Sequence, residues 1–399
     1  IMPTNSHPTS YTGPGETTGL AAWTYQSPAL NVLEYERVIL PSWQFACHVN
    51  QVRNPGSYAT LDLLRDSIAV VRGEDGILRA FKNVCRHRGA RLLDGAGTCK
   101  GVMVCPYHGW SYKLDGALRA TPARKTFPGL DLSKHGLEPV ELEVLAGLVF
   151  VRVVPGGPSL KAMWGAEASL LEPYKLDELE PAADAIHTEI WNCNWKVAVD
   201  NNLENYHIPI GHPGYHRLLD SDLLGFMNAH GVAGSVSKHR DELSENWSER
   251  RYQQLAPVAL DRLDAETRRT WMFFTMPPNI GIDIYPDSMD VFQILPRTAT
   301  TCFVRYPILR PRDDRREARV LSFLNRRINI QAMREDKELC ERVQAGLSSH
   351  GYRPGPLSTL EVAITDFHDR IRAAIPEAAL PDAPAHLDPR QSQLPIAAE

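Results

Sequence analysis

The sequence predicts an α+β protein in two parts, a small all-β domain followed by a larger domain whose antiparallel sheet is covered by helices. Three observations carry this. From about Ser42 to Val154 short strand-like runs alternate with Gly-containing turns. Four further strand-like runs crowd into residues 270–307. Beyond them, 319–347 and 357–375 read as helices long enough to cover a sheet. A chain of 399 residues suits roughly two or three domains. The boundaries expected are an N-terminal arm and helix over 1–41, the β domain over 42–154, the larger domain over 155–379 and a tail over 380–399.

Taken in order, the first sixteen residues are rich in Pro, Ser, Thr and Gly and read as an arm, and Ala29–Leu40 reads as a helix leading to Trp43. Ile68–Arg72 and Ile77–Phe81 flank Gly73-Glu-Asp75-Gly76, a hairpin signal. Ser111–Leu114 and Ala117–Arg119 flank Asp115-Gly116, a second one. Residues 142–153 form a strand pair around Gly147. After Pro155, Ser169–Tyr174 and Trp195–Tyr206 read as helical, and strands follow at 270–274, 280–285, 289–295 and 301–307. The Pro- and Ala-rich residues from Leu380 have no periodicity.

Hydrophobic residues make up 43% and charged residues 23%, as in an ordinary soluble globular protein. With 43 Lys and Arg against 48 Asp and Glu, a nucleic-acid surface is not expected. No run has the apolar length of a membrane span, and no leader is visible. Of seven cysteines, Cys47, Cys99, Cys193, Cys302 and Cys340 are scattered as reduced thiols would be, which suits a cytoplasmic protein.

The other two lie in the most specific pattern of the chain. Cys85-Arg-His87 is followed, seventeen residues on, by Cys105-Pro-Tyr-His108. Two thiolates and two imidazoles suit zinc or a [2Fe–2S] cluster with both histidines on one iron. Zinc fingers pair Cys with Cys and His with His. Here each short loop holds one of each, so each loop can give one ligand to each iron. The extra cysteines of respiratory-chain Rieske proteins are replaced by Ala90 and Tyr107, so their bracing disulfide cannot form. That points to the lower-potential oxygenase or ferredoxin branch.

A second ligand set lies downstream. Glu204 and His207 are three apart and would share one face of a helix. His212, five further on, would lie ~140° round an unbroken helix, so Pro209 and Gly211 are expected to bend it. On the long helix Met333, Asp336, Cys340, Val343 and Leu347 fall on one stripe, with Asp336 the polar exception and Glu335 one step round, facing away. A buried carboxylate needs a partner. Two His and one carboxylate with open positions suit non-haem Fe(II) and O2. Alone, His-x4-His is more often a pair of ordinary polar groups, and Asp336 could simply pair with Arg334 or Arg342.

Together these segments resemble the oxygenase (α) component of Rieske non-haem iron oxygenases, from about residue 18 to 375. The carriers are Cys85/His87/Cys105/His108, Asn194-Trp-Lys through His212-Pro, and Glu335-Asp336 through Gln344. The resemblance implies a Rieske [2Fe–2S] cluster, mononuclear Fe(II) and a trimer of α subunits. It also implies an NAD(P)H-dependent reductase, acting directly or through a ferredoxin. It implies that Glu204 links His207 to His108 of a neighbouring subunit. Most members have Asp at that position; Glu204 is similar to the carnitine monooxygenase-like branch, which acts on quaternary ammonium compounds. The expected activity is hydroxylation or oxidative demethylation of a small N-methylated substrate. The alternatives are ring hydroxylation of an aromatic acid, a Rieske electron carrier without oxygenase activity, and a zinc-stabilised binding protein. Pocket candidates are Phe226, Trp271, Phe273, Ile282, Ile284, Tyr285 and Phe292, about half of which strand alternation would turn elsewhere. Asp283 beside aromatic rings would favour a cation; Arg305 in the pocket would favour an aromatic acid.

Overall fold

The computed structural model describes residues 18–388, the side chains of 183–187 excepted; the first seventeen residues of the expected arm and the last eleven of the expected tail lie outside the described residues. The chain divides into two compact units.

The smaller unit comprises Leu40–Ala162 and Lys175–Pro181, so the chain leaves it and returns once. A seven-stranded antiparallel sheet has the spatial order Gln44–His48, Leu148–Arg152, Pro139–Leu145, Leu78–Lys82, Ser67–Arg72, Ser57–Asp62, Ala96–Thr98. A three-stranded sheet, Val102–Val104, Ser111–Lys113 and Leu118–Ala120, carries the second Cys-His loop between its first two strands. Both predicted hairpins are present. Gly116 shows why its turn needs glycine: φ is +88°, and a Cβ there would come 2.4 Å from the Phe81 ring. Beneath the loops lies a core of Phe81, Leu92, Leu93, Met103, Trp110 and Tyr112.

Of the described residues, the larger unit comprises 18–39, Met163–Tyr174 and 182–388. Its sheet runs in the order Glu180–Trp191, Thr301–Arg310, Met289–Thr298, Ile280–Ile284, Thr270–Met276, Ala233–His239, Leu219–Ser221, with Phe226–Met227 paired beside Ala233–His239. Helix Trp247–Ala259, which the sequence reading does not assign, packs with the long helix Arg316–Leu347. Their residues Tyr252, Leu255, Leu321, Leu324 and Ile328 form one core with Trp271 and Tyr285. One sheet face therefore lies under these helices.

Several expectations are corrected. Helix Trp195–Asn202 stops before Glu204, and the last helix is Val362–Ala374. Val343 is 51% exposed, so the inward stripe of the long helix does not include it. Residues 380–388 are no loose tail: Leu387 is buried against Trp23, Leu30 and Ile375, and the Trp23 indole donates to the Leu380 carbonyl at 3.0 Å.

Helix Trp195–Asn202 is firmly seated. The Asn194 carboxamide accepts from the Lys196 N–H at 2.9 Å, capping it. Lys196 is fully buried and donates to Glu34 at 2.6 Å and to the Thr24 carbonyl at 2.9 Å. A buried ammonium so supplied with acceptors is tolerable; losing the carboxylate would strand it.

Candidate metal centres and substrate face

The two Cys-His loops of the smaller unit are built alike. In the first, the Cys85 N–H donates to the Ala90 carbonyl at 2.8 Å and the Gly89 N–H to the Cys85 carbonyl at 3.0 Å. In the second, Cys105 donates to Trp110 at 2.8 Å and Gly109 to Cys105 at 3.0 Å. Gly89 and Gly109 turn each loop at φ +76° and +72°. The loops bring the four candidates together. The His87 and His108 rings lie 4.8 Å apart, His87 stacks on Trp110 at 4.8 Å, and both thiols are buried. Tyr112, absent from the sequence reading, places its hydroxyl 3.3 Å from the Cys85 sulfur and accepts from the Arg86 N–H at 2.9 Å. Hydrogen bonds to cluster sulfurs help set the potential. The His87 Nδ1 is buried and has no hydrogen-bond partner, which fits a nitrogen reserved for a metal. Tyr107 covers His108 with ring centroids 3.8 Å apart, and Arg88 lies over Tyr107 at 5.1 Å.

In the larger unit His207, His212 and Asp336 each offer one donor atom within 4.8 Å of the others. The two Nε2 atoms are 3.1 Å apart. Asp336 Oδ1 is 2.9 Å from His212 Nε2 and 3.5 Å from His207 Nε2. Donors on ~2.1 Å bonds at right angles stand about 3.0 Å apart, so these separations match three neighbouring corners of an octahedron. The outer nitrogens are occupied. His207 Nδ1 is 2.6 Å from Glu204 Oε1, and His212 Nδ1 is 2.9 Å from Glu335 Oε2. With Nδ1–H donated outward, both Nε2 lone pairs point at one another and at a carboxylate. Burial opposes a charge on His207, yet Asp336 and Glu204 outweigh it and raise it to about 9. Burial likewise opposes a charge on Asp336, and the two imidazoles bring it down to about 2. A cation shared among the three is what this donor set requires, and a 2-His-1-carboxylate set suits iron(II).

The local chain explains how the sequence reaches this geometry. Glu204 lies beyond the helix end, and its Oε2 accepts the His207 N–H at 3.0 Å. Pro209 does not bend a helix but opens the next short one, Ile208–Gly211. A Cβ at Gly211 would sit 3.1 Å from both His207 and Leu339, so a larger residue there would press on the His207 ring. The long helix is pinned beside this segment by Glu341 and Gln344, which accept from the N–H groups of Asn192 and Asn194 at 3.0 and 2.7 Å. Glu335, read as facing away, instead reaches His212.

Register divides the predicted pocket residues between two faces. Phe273 pairs with Asp283, Trp271 lies two residues back on the same face, and Tyr285 lies two beyond Asp283. Asp283 pairs with Asp290 and Gly281 with Phe292. Trp271, Phe273, Tyr285 and Phe292 therefore share the Asp283 face, although Phe292 packs on Trp191 at 5.7 Å. Ile282 and Ile284 point to the other face, pairing with Phe274 and Met272. Phe226 also belongs there, against Phe274 at 6.0 Å.

The face under the helices is joined to the histidines by Tyr215, whose ring lies 5.4 Å from His212, 5.7 Å from Trp271 and 6.0 Å from Phe273. Tyr285 lies 4.7 Å from Trp271, and it favours the charged form of both Asp283 and Asp290. These two carboxylates stand directly opposite each other, and among the described residues no basic side chain pairs with either. Burial raises Asp283 well above the usual range, with Asp290 and Asp336 adding to it; burial raises Asp290 to about 7. Like charges facing each other across strands are destabilising unless something between them compensates.

Residues 42–138 match the Rieske [2Fe-2S] domain and residues 172–377 the catalytic domain of the ring hydroxylating alpha subunit. The chain belongs to this family of Rieske oxygenase alpha subunits. It is 33% identical over 325 residues to the carnitine monooxygenase oxygenase subunit of Escherichia coli K12, covering 80% of this chain and 82% of that one. It is 28% identical over 375 residues to the glycine betaine monooxygenase oxygenase subunit of Chromohalobacter salexigens, covering 86% and 83%. The crystal structure of the quaternary ammonium Rieske monooxygenase CntA with L-carnitine superposes with a TM-score of 0.73 at 26% identity, over 90% of this chain and 95% of that one. The expected fold, a Rieske β domain plus a helix-covered antiparallel sheet, is thus found. This alpha subunit is an oxygenase whose cofactors are a Rieske cluster and mononuclear iron, supplied with electrons by another protein. Among the described residues no helix is long and apolar enough to cross a membrane.

Proposed function

We propose that the chain is the terminal oxygenase of a multicomponent system that hydroxylates, and so demethylates, a small N-methylated or quaternary ammonium compound. The observation that carries this is the Asp283–Asp290 pair, set among Tyr215, Trp271, Phe273 and Tyr285 beside the iron triad. Aromatic faces and carboxylates attract an alkylammonium, and together they strip its water at small cost. Relatives that act on carnitine and glycine betaine support the same class. The aromatic-acid alternative finds no support at Arg305, which pairs with Gln293 on the opposite sheet face and donates to it at 2.9 Å.

Cys85, His87, Cys105 and His108 would hold the cluster, and His207, His212 and Asp336 the iron. The iron, when bound, activates O2 for attack on a C–H bond. The chain's own residues do the rest. Glu204 and Glu335 keep Nδ1–H donated outward and aim both Nε2 lone pairs inward. Asp283 and Asp290 fix the ammonium so that a methyl group, not the tail, faces the triad. The buried Trp271 and Tyr285 rings, with the half-buried Tyr215 and Phe273, exclude water. One oxygen atom of O2 enters the methyl C–H bond, and the other leaves as water with two electrons and two protons. The hydroxymethyl product loses its O–H proton as the C–N bond breaks toward nitrogen, releasing formaldehyde.

In this reading the electrons come from an NAD(P)H-dependent reductase, directly or through a ferredoxin. The working form is a homotrimer in which Glu204 takes them from His108 of a second copy. Support comes from the CntA work, which describes inter-subunit electron transfer in that protein. Seven cysteines without a disulfide suit a cytoplasmic enzyme. The test is single turnover of reduced, iron-replete protein with O2 and a panel of betaines, carnitine, choline and aromatic acids. Formaldehyde in step with cluster oxidation is expected; a phenol or ring diol instead would overturn the substrate class.

A further inference from the structure

The sheet face that carries Asp283 and Asp290 continues past Trp271 to a second polar group that the proposed chemistry does not use. Ser237 pairs directly with Trp271 across the strands, and His239 follows two residues on, so the three share that face. All are buried, at 1%, 0% and 5% exposure. Yet the Ser237 Oγ, the Trp271 Nε1 and both ring nitrogens of His239 have no hydrogen-bond partner. Buried polar atoms are nearly always paired, so four orphans on one patch call for an occupant. The opposite face carries Met272, Phe274 and Ile282, and its polar groups are paired: Lys238 with Glu266 at 2.7 Å, the Thr270 hydroxyl with the Glu266 carbonyl at 2.9 Å, and Arg305 with Gln293 at 2.9 Å. Unpartnered polarity at Ser237, His239 and Trp271 thus lies on the face under the helices.

The patch is contiguous with the ammonium end. Trp271 lies 4.7 Å from Tyr285 on one side and 6.1 Å from His239 on the other. Trp271 can only donate, and a serine hydroxyl can donate. Burial, with Arg269 adding to it, pushes His239 down to about 4, so near neutral pH one of its nitrogens also offers a neutral N–H. Three donors that carry no charge of their own suit an oxygen acceptor.

We propose that Ser237, His239 and Trp271 form a second subsite, which binds an oxygen on the tail of the substrate cation and sets specificity among N-methylated compounds. The inference rests on the cation reading above and adds the requirement for a bifunctional substrate. A carboxylate and an alcohol share the acceptor chemistry, and the experiment separates them.

The experiment measures anaerobic binding to the iron-loaded full chain by calorimetry, with three probes that share a trimethylammonium head. These are 4-(trimethylammonio)butanoate, (3-hydroxypropyl)trimethylammonium and n-butyltrimethylammonium. Wild type is expected to prefer at least one oxygen-bearing probe over the n-butyl probe by tenfold or more. Which probe wins tells carboxylate from alcohol. In Ser237→Ala and in Trp271→Phe that preference should collapse toward one. Ser237→Ala changes one atom and guards against misfolding of the tryptophan variant. Equal binding of all three probes by wild type, or an undiminished preference in both variants, would overturn the subsite and leave the cation reading standing. No binding of any probe, the n-butyl one included, would overturn both.

Discussion

Glu335 offers the sharpest test of the iron site, because the sequence hides it and the geometry makes it matter. Its Oε2 accepts from His212 Nδ1 at 2.9 Å, and its side chain is only 25% exposed. Removing it leaves the imidazole free to rotate and to adopt the tautomer whose Nε2 carries the proton, which cannot bind a metal. A charge-assisted hydrogen bond of this kind is worth about 1.5–3 kcal/mol. At 1.4 kcal/mol per factor of ten, Glu335→Ala should weaken Fe(II) binding by about 10- to 100-fold, the range seen for outer-shell partners of metal-bound histidines. Glu335→Gln retains an acceptor without the charge and should fall between. The assay is anaerobic Fe(II) titration of protein whose cluster is intact, followed by bound iron and by the unchanged cluster absorbance. Wild-type affinity in the alanine variant, or a glutamine variant weaker than the alanine one, would refute the reasoning that Glu335 orients His212.

Four further outcomes are expected. Asp336→Ala should lose mononuclear iron and all product formation while the cluster spectrum persists, and full turnover with iron retained would remove Asp336 from the site. Glu204→Gln should keep both metals but slow cluster oxidation in a single turnover, so a normal rate would take Glu204 out of the electron path. Asp283→Asn should raise the KM for a cationic substrate by more than tenfold and leave iron content alone, in line with breaking a buried charge pair; an unchanged KM would place the cation elsewhere. His239, lowered from 6.5 to about 4, stabilises the fold above pH 6.5, and that contribution is lost as pH falls toward 4. At pH 5 it costs about 2 kcal/mol, so Tm between pH 7 and 5 should fall ~4–8 °C less in His239→Phe than in wild type. Equal falls would show that His239 is not held neutral.

Legibility in the sequence followed the range of each constraint. The Cys-His loops were readable because each is a few residues long and its chemistry is local. The His207/His212 pair was readable for a partly wrong reason. A bent helix was expected, whereas the helix ends at Asn202 and Pro209 starts a new one. Spacing reveals that two residues can meet, not by which backbone path. Asp336 stood out as an acid on an apolar stripe. Glu335 did not, since a helical wheel gives the direction of a Cβ and not the reach of a three-bond side chain. Strand Ala233–His239 was missed because Gly, Ser, Lys and His carry little strand signal. Helix Trp247–Ala259 went unread, and Pro257 lies inside it.

The pocket shows the limit most clearly, and also why it is informative. Strands 270–276 and 280–284 carry large apolar residues on both faces, so hydrophobicity cannot say which residues line a cavity. Ile282 and Ile284 look as good as Trp271 and Phe273 until register sorts them. What distinguishes the faces is polarity without partners. On the Ile282 face the polar groups are paired, Arg305 with Gln293 and Lys238 with Glu266. The other buries Ser237 and His239, whose donors face nothing, and half-buries Asp283 and Asp290, acid facing acid. An isolated domain selected only for stability would have replaced them with aliphatic residues, since each unpaired buried group costs ~1–3 kcal/mol. Their presence beside a metal triad is best explained by a ligand that supplies the missing partners, positive at one end and oxygen-bearing at the other.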